Sequence, residues 1–282
     1  MDLTSNPNAV LYVPDGFGAE VAVARTTHLG IGAHQDDLEI MATEGILACY
    51  QQKDRWFGGV IMNSGATAPR TGEYAEYTNE EIAAERIEEQ KRAADLGQYA
   101  FQVLLGYSNE ETKDPADLRP TEDLRRIIES ANADVIYTHN ILDKHYAHVA
   151  VTIQTIQAIR GLDKERRPKR VIGCEVWRDL DWLVGDDKVV MDVSGEENLQ
   201  RKLLEVFESQ LAGKRYDLAS MGRRVAHATY LDPHENEEVS GAVLGMDLTP
   251  LIEDDDLDIE NYARGYVERL NEDVMERLRG LL

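Results

Sequence analysis

Runs of apolar residues of strand length alternate with amphipathic helical patterns through the first two thirds of the chain. Strands buried on both faces are almost continuous apolar runs, and a helix between two such strands allows them to pair in parallel. The pattern therefore predicts an α/β fold in which a mostly parallel sheet is flanked by helices. The predicted strands are 28–33, 56–62, 99–105, 134–138 and 171–177, with a possible sixth at 188–193.

Helical patterns follow most of these strands and carry ordinary start and stop signals. The charged helix 79–96 is expected to end at Gly97, because glycine readily adopts the left-handed conformation that closes a helix. The segment 238–251 fits either a hairpin or an extended arm. The other predicted helices are 38–52, 120–130, 146–161, one or two between 196 and 224, and a last amphipathic helix at 259–281.

No internal repeat, flexible linker or low-complexity tract interrupts the 282 residues. A chain of this length can bury a sizeable core without disulfides or a structural metal. We therefore predict a single domain, residues 1–282, with a core at about 28–193 and a C-terminal helical appendage at about 194–282. The last helix either covers the core or pairs with another subunit, and we expect a homo-oligomer.

The chain is strongly acidic, with 53 Asp and Glu residues against 30 Lys and Arg residues and a formal net charge of −23. Such a surface repels phosphate backbones and anionic lipid headgroups, and the basic clusters at 166–170 and 223–224 are short. We therefore expect neither nucleic acid nor a membrane as a partner. Cys49 and Cys174 form no metal-binding pattern, and no signal peptide or transmembrane segment is visible, which predicts a cytoplasmic location.

Several common nucleotide-binding and catalytic motifs are missing. The sequence contains no P-loop, no HExxH zinc motif and no GxSxG nucleophile elbow. Gly30 and Gly32 supply two glycines of a dinucleotide fingerprint, but the pattern breaks at Gln35. A metal-independent nucleotide-binding module built on these two glycines is one alternative function.

Two clusters of metal-type ligands stand immediately after predicted strands. The segment 34–37 (HQDD) follows the first predicted strand, and the segment 139–148 (HNILDKHYAH) follows the fourth. In an open parallel sheet, ligands bind in the crevice beyond the carboxyl ends of the strands, where both clusters are expected to meet. Four of the seven histidines lie in these two segments, with acids beside them.

The residue types in the two clusters are those of a metal site. A histidine and a carboxylate three residues apart across a strand-to-helix turn can converge on one cation, which leaves an adjacent carboxylate free. His145 and His148 are also three residues apart and share one helix face. Two histidines and a carboxylate are the ligands of a zinc site with an open position for water. The simpler alternative is that Asp36 or Asp37 only caps a helix and that the histidines lie at the surface.

The sequence also resembles a known family. The A-H-x-D-D motif after the first strand and the later H-x-x-x-D-x-H-x-x-H motif are similar to those of the LmbE or PIG-L deacetylases. These are zinc-dependent amidohydrolases that remove acetyl groups from N-acetylglucosamine-type substrates. Arg86, Glu89, Ala93 and Ala94 match a helix motif of the same family. The resemblance covers about residues 28–193 and implies the Rossmann-like fold of LmbE proteins.

The resemblance implies a role for each residue of the two clusters. His34, Asp37 and His148 would hold Zn²⁺, or another divalent transition metal. Asp36 would act as the general base, and His145 would polarise the developing oxyanion. The implied reaction is hydrolysis of the acetamide of a small N-acetylated sugar, or of a related amide, by metal-activated water.

This chain departs from the family pattern at four positions, one of which is Tyr146, where the family usually has Pro. Gln35 stands where the family usually has Pro, and Leu38 stands where it has Glu. Ala147 replaces an acid that would orient a neighbouring histidine, a task that Asp143 can take over. The changes leave open a catalytically inactive metal- or ligand-binding protein of the same fold, although such a protein has no reason to keep Asp36.

Substrate contacts are predicted beside the site. Arg70 lies in the loop after the second strand and is either a ligand for hydroxyl, carboxylate or phosphate groups or a surface arginine. Asp143 and Lys144, in the second cluster, are further candidate substrate contacts. Trp177, in the segment 175–182 (EVWRDLDW), is expected either to pack structurally or to wall a carbohydrate pocket.

Overall fold

The computed structural model describes residues 3–282, and within that range eight strands form one sheet. They are β1 Val10–Tyr12, β2 His28–Gly32, β3 Phe57–Asn63, β4 Phe101–Tyr107, β5 Val135–His139, β6 Arg170–Cys174, β7 Val189–Asp192 and β8 Ala242–Asp247. Their spatial order is β1-β4-β3-β2-β5-β6-β8-β7. The central strands from β4 to β6 are parallel, whereas β1, β8 and β7 pair antiparallel. The predicted α/β class with a mostly parallel sheet is confirmed.

The parallel strands are apolar on both faces, as the sequence pattern requires. All of β3 is buried, and its alternate residues belong to different apolar clusters, Val60 and Met62 to one and Phe57 and Ile61 to the other. Chain order reverses between β2 and β5, which lie side by side. At such a switch point the connections leave a crevice beyond the carboxyl ends of the strands.

Helices connect the strands and cover the sheet. The described helices are α1 Ala19–Ala24, α2 Asp37–Met41, α3 Thr43–Cys49, α4 Asn79–Gly97, α5 Asn109–Lys113, α6 Arg119–Ala131, α7 Tyr146–Arg160, α8 Glu197–Glu205, α9 Glu208–Leu211, α10 Tyr216–Thr229, α11 Pro250–Glu253 and α12 Ile259–Leu281. The helix predicted at 38–52 is split at Ala42 into α2 and α3. The hydroxyl of Thr43 donates to the Glu39 carbonyl at 2.9 Å. Such a bond competes with the helical ladder and bends or ends helices.

The end of α4 differs in detail from the prediction. The helix includes Gly97, and the residue in the left-handed conformation is Gln98, with a φ of 54°. Gly97 meets a packing requirement instead, because a Cβ there would lie 2.4 Å from the ring of Tyr99. The glycine therefore marks the helix end through close packing rather than through its backbone conformation.

The C-terminal region contributes to the sheet as well as to the helices. The segment 238–251 contains β8, which pairs with β6 on one side and with β7 on the other. The first half of α12 packs against the core through Tyr262 and Tyr266, whereas Leu278 and Leu281 near its end are exposed. The expectation of a homo-oligomer stays a prediction. No helix within residues 3–282 combines the length and the apolar character needed to cross a membrane.

Replacing Gly45 by alanine is expected to destabilise the fold by about 1–3 kcal/mol, because it overpacks a buried site. A Cβ at Gly45 would lie 2.4 Å from the ring of Tyr137, whose side chain is buried and donates a hydrogen bond to Glu44. Gly222→Ala in α10 is the matched control, since its Cβ meets nothing within 4 Å. We expect that control to gain roughly 0.5–1 kcal/mol from helix propensity. Urea unfolding measures the free energy of unfolding of both variants. An equal gain in stability in the two variants would contradict the packing argument.

Candidate active site

A cavity of ≈ 200 Å³ opens at the carboxyl ends of the central strands. The segments that follow β2, β3, β4, β5 and β6 each contribute to its lining. The C-terminal region adds Gln210 and Tyr216. The sheet thus fixes the ends of the strands, and the connections beyond them supply the functional groups.

The three residues predicted as metal ligands converge at this crevice. One nitrogen or oxygen atom each of His34, Asp37 and His148 lies within 4.8 Å of the other two. Nδ1 of His34 is 3.2 Å from Nε2 of His148 and 3.3 Å from Oδ2 of Asp37. Oδ1 of Asp37 is 3.5 Å from Nε2 of His148. Two imidazole nitrogens and a carboxylate that face one another fit the protein donors of a catalytic zinc site.

A second carboxylate orients His148. Nδ1 of this buried histidine lies 3.5 Å from Oδ2 of Asp143, on the ring side away from the other two donors. The Asp143 carboxylate is itself fixed by the backbone N–H groups of His145 and Trp177, at 3.0 and 3.1 Å. Burial lowers the pKa of His148 to about 4, so the ring is neutral at pH 7. Asp143 favours the tautomer with the proton on Nδ1, which leaves the Nε2 lone pair free. Asp143 is therefore placed to orient His148, the task expected of the acid that is missing at Ala147.

Asp37 is surrounded by groups that favour its charged form. Its Oδ2 accepts the backbone N–H of His34 at 2.6 Å and lies 3.3 Å from Nε2 of His139. Burial alone would raise the pKa of Asp37, but His148 and His139 hold it well below its usual range. His139 stacks on His148 with ring centroids 3.8 Å apart, and its Nε2 also lies 3.0 Å from the backbone nitrogen of Ala33. His139 thus supports two of the three donors.

Asp36 stands beside the donors in a strained conformation. Its φ is 93°, in the left-handed region, and its side chain makes no capping hydrogen bond to α2. The capping alternative therefore does not explain Asp36. A non-glycine residue in a sparsely populated region costs about 1–3 kcal/mol, and such residues cluster at active sites. Burial and the adjacent Asp37 carboxylate hold the pKa of Asp36 well above its usual range, against the opposing charge of Arg86.

The turn that carries Asp36 is fixed by two side chains. Arg86 on α4 donates to the carbonyl of Gln35 at 2.8 Å. The side-chain amide of Gln35 donates to the carbonyls of Asn63 and Ser64, at 3.2 and 3.3 Å. Gln35 thereby ties the turn to the end of β3, with hydrogen bonds that the usual proline at this position cannot make.

His145 presents a hydrogen-bond donor to the cavity that it lines. Its Nδ1 accepts the backbone N–H of Ala147 at 3.3 Å, at the start of α7. Burial and the nearby His34 lower the pKa of His145. The ring is therefore neutral at pH 7, and its proton lies on Nε2, since Nδ1 acts as the acceptor. The rings of His145 and His34 lie edge to face with centroids 4.9 Å apart.

The structure brings Asp143 to the site, but it does not bring Arg70 or Lys144 there. The guanidinium of Arg70 donates to the loop carbonyls of Tyr77 and Ala66, at 2.7 and 2.9 Å. These hydrogen bonds hold its own loop together, and its predicted contact with a substrate stays a prediction. Lys144 is exposed, and within residues 3–282 neither it nor Arg70 lines the cavity. Asp143 acts on its neighbouring histidine rather than lining the cavity.

Other cavity residues belong to no recognised motif. Asn63, the last residue of β3, places Nδ2 3.2 Å from Nε2 of His34. Asn63 is the first polar residue after an apolar run of the sequence, which is a signal that sequence reasoning can use. Trp177 and Tyr216 lie edge to face with centroids 6.2 Å apart. Tyr216 comes from α10, and no sequence pattern links it to the two ligand clusters.

The two glycines of the weak dinucleotide pattern serve packing. A Cβ at Gly30 would lie 2.7 Å from the ring of Phe57 and 2.9 Å from the side chain of Leu38. A Cβ at Gly32 would lie 3.1 Å from Cβ of Asp37. Both glycines let α2 approach β2 closely, so these residues give no support to the nucleotide-binding alternative.

Comparisons with known proteins point to the same region of the chain. Residues 29–159 match the family model PIG-L, described as GlcNAc-PI de-N-acetylase. The search of curated proteins found no match. Similar solved structures include N,N'-diacetylchitobiose deacetylase from Pyrococcus horikoshii, the A40926 pseudoaglycone deacetylase Dbv21, and the 4-carboxy-2-hydroxymuconate hydratase GalB from Pseudomonas putida KT2440.

The structural likeness is broad but distant. The diacetylchitobiose deacetylase has 16% identity and a TM-score of 0.63, over 81% of this chain and 86% of its own. Dbv21 has 17% identity and a TM-score of 0.58, over 79% of this chain and 97% of its own. GalB has 15% identity and a TM-score of 0.58, over 79% of this chain and 96% of its own. These values show that the chains share a fold. The match to the family model is separate evidence, and its residues 29–159 include both ligand clusters. Residues 29–159 of this chain therefore match the PIG-L (LmbE-like) family, and the solved structures share its fold over most of the chain.

Proposed function

We propose that the protein is a zinc-dependent N-deacetylase that hydrolyses the acetamide of a small N-acetylated sugar of the GlcNAc type, or of a related amide. The observation that carries this proposal is the buried Asp36 carboxylate beside three convergent metal-type donors. The family supports the reaction class, because its description is that of a de-N-acetylase. Two of the similar structures are described as deacetylases as well.

His34, Asp37 and His148 would hold the metal ion. A divalent cation bound there would lower the pKa of a bound water and polarise the amide carbonyl. Two imidazoles and one carboxylate are a donor set that zinc shares with other transition metals, and some catalytic zinc sites combine it with a water in the fourth position. Asp143 and the stacked His139 fix the orientation of the His148 ring.

Asp36 and His145 would handle the protons of the reaction. Asp36 accepts a proton from the attacking water and delivers it to the amine nitrogen as the C–N bond breaks. Acetate and a free amine are the products. The raised pKa of Asp36 suits both steps, because the carboxyl must gain and lose a proton near neutral pH. His145 donates its Nε2 proton in a hydrogen bond to the oxyanion that develops on the carbonyl oxygen.

Two other functions share parts of this site. A catalytically inactive binding protein would keep the donor set, but it would not need a strained and buried carboxylate at Asp36. A hydratase is described among the similar structures, so the fold alone does not select hydrolysis. Amine release separates the three functions, because only cleavage of the amide produces an amine.

The proposal is tested with the purified full chain. The protein is stripped with a chelator, reloaded with Zn²⁺, and assayed against a panel of N-acetyl sugars and simple acetamides. We expect equal amounts of amine and acetate from at least one N-acetyl sugar with zinc, and neither product without metal. Addition of water to an unsaturated acid would instead indicate a hydratase, and binding without turnover would indicate the inactive protein.

A reducing cytoplasm is the location that we propose for this enzyme. Both cysteines, Cys49 and Cys174, are buried free thiols. Burial raises the pKa of the Cys49 thiol to about 12 and that of Cys174 well above its usual range. Buried and protonated thiols without a disulfide are typical of proteins that reside in a reducing compartment.

A further inference from the structure

The lining of the cavity contains little positive charge. Among the lysines and arginines of residues 3–282, Arg86 alone lines it. The Arg86 side chain is buried, and its guanidinium already donates to the Gln35 carbonyl. Glu110, which also lines the cavity, is exposed and therefore charged toward solvent. A phosphate or carboxylate on a substrate would meet this acid, and within residues 3–282 no exposed lysine or arginine lines the cavity to oppose it.

One wall of the cavity is aromatic. Trp177 is 37% exposed, and its backbone N–H is fixed by the Asp143 carboxylate at 3.1 Å. Tyr216 meets it edge to face at 6.2 Å, and the Lys214 ammonium lies 4.4 Å from the centroid of the Trp177 ring. These contacts hold the indole in place while part of it faces the cavity. An apolar face beside polar groups suits a sugar ring, which also has one apolar face.

The segment that carries Tyr216, one of the two aromatic residues of this wall, is anchored to α4. The backbone N–H and the hydroxyl of Ser209 both donate to the carboxylate of Glu89, each at 2.7 Å. Gln210, the next residue, lines the cavity, and Tyr216 follows at the start of α10. The wall is therefore in place before a substrate arrives, which reduces the entropy that binding must overcome.

We propose that the cavity takes an uncharged N-acetylated sugar whose ring packs against Trp177 and Tyr216, and that Glu110 disfavours substrates with a phosphate or carboxylate near the reacting amide. This inference rests on the proposed function and adds the charge and the contact face of the substrate. Even at the dielectric constant of bulk water, a doubly charged phosphate about 6 Å from an exposed carboxylate loses roughly tenfold in affinity. The net charge of −23 adds repulsion at longer range.

The charge preference is tested with two sugars that differ by one phosphate. We compare kcat/KM of the zinc-loaded full chain for N-acetylglucosamine and for N-acetylglucosamine 6-phosphate, and expect the uncharged sugar to be favoured by about tenfold or more. Glu110→Gln is expected to bring the ratio of the two kcat/KM values close to one, and added salt should reduce the ratio for the wild type. Glu276→Gln, at the exposed end of α12, removes the same charge outside the cavity and should leave the ratio unchanged.

The contact face is tested at Trp177. We expect Trp177→Ala to raise KM for N-acetylglucosamine by about three- to tenfold, with a smaller effect on kcat, and Trp177→Phe to restore most of the loss. An unchanged KM in Trp177→Ala would show that Trp177 does not contact the substrate.

The outcomes separate this inference from the proposed function. Equal or faster turnover of the phosphorylated sugar, insensitive to Glu110→Gln, would overturn the charge preference while leaving N-deacetylation established. If no acetamide is hydrolysed, the proposed function fails. Calorimetric binding of the two sugars to the zinc-loaded Asp36→Asn chain then still decides whether the cavity prefers the uncharged one.

Discussion

Replacing Asp36 by asparagine is expected to lower kcat for amide hydrolysis by about 10²–10⁴, the range typical of a lost general acid–base group. The asparagine amide has a similar size but accepts no proton from water at neutral pH. Asparagine is a better substitution than alanine because it tolerates the left-handed conformation at this position, where φ is 93°. The expected signature in an amine-release assay is a lower kcat with little change in KM.

The same variant is expected to keep its zinc, because Asp36 is not one of the three convergent donors. Elemental analysis of wild type and Asp36→Asn after identical loading should give equal metal content. Asp256→Asn, at an exposed position, is the control for the loss of one negative charge and should retain full activity. Full activity in Asp36→Asn would end its assignment as general base, and loss of zinc would place Asp36 among the ligands.

The parallel half of the sheet is predictable because burial on both faces leaves a strong local signal. β2, β3 and β5 each lie within one residue of their predicted bounds. The sequence pattern does not define β1 or β8, because both strands have weak local signals. β1 has only three residues at the sheet edge, and β8 is inserted between β6 and β7. Pairing between segments distant in sequence depends on tertiary packing, which no local pattern records.

The site shows the same division between local and long-range information. His34 and Asp37 stand directly after a predictable strand, so fold topology alone brings them to the crevice. His148 follows β5 by one short loop and the first turn of α7. Fold topology does not predict the direction of a side chain. Arg70, for example, turns into its own loop. Tyr216 enters from α10, whose position is set by packing against other elements.

Replacing His148 by alanine is expected to remove the metal from the purified protein and to abolish zinc-dependent turnover. His148 supplies one of the two imidazole donors of the cluster, and its Nε2 faces the other two donors. Zinc at 100 times its Kd stabilises a folded protein by about 2.7 kcal/mol. Wild type should therefore show a rise in Tm of several degrees on zinc addition, and this rise should be absent in His148→Ala.

Because His148 is fully buried, its loss also leaves a cavity, so a folding defect must be separated from a metal defect. His34→Ala removes a partly exposed donor and should lose zinc with a smaller cost in stability. His234→Ala, at an exposed position outside the cavity, should bind zinc like wild type. Asp143→Asn keeps all three donors but weakens the orientation of His148, so zinc affinity should fall by about 10–100-fold. Wild-type zinc binding in a folded His148→Ala chain would show that the metal site lies elsewhere.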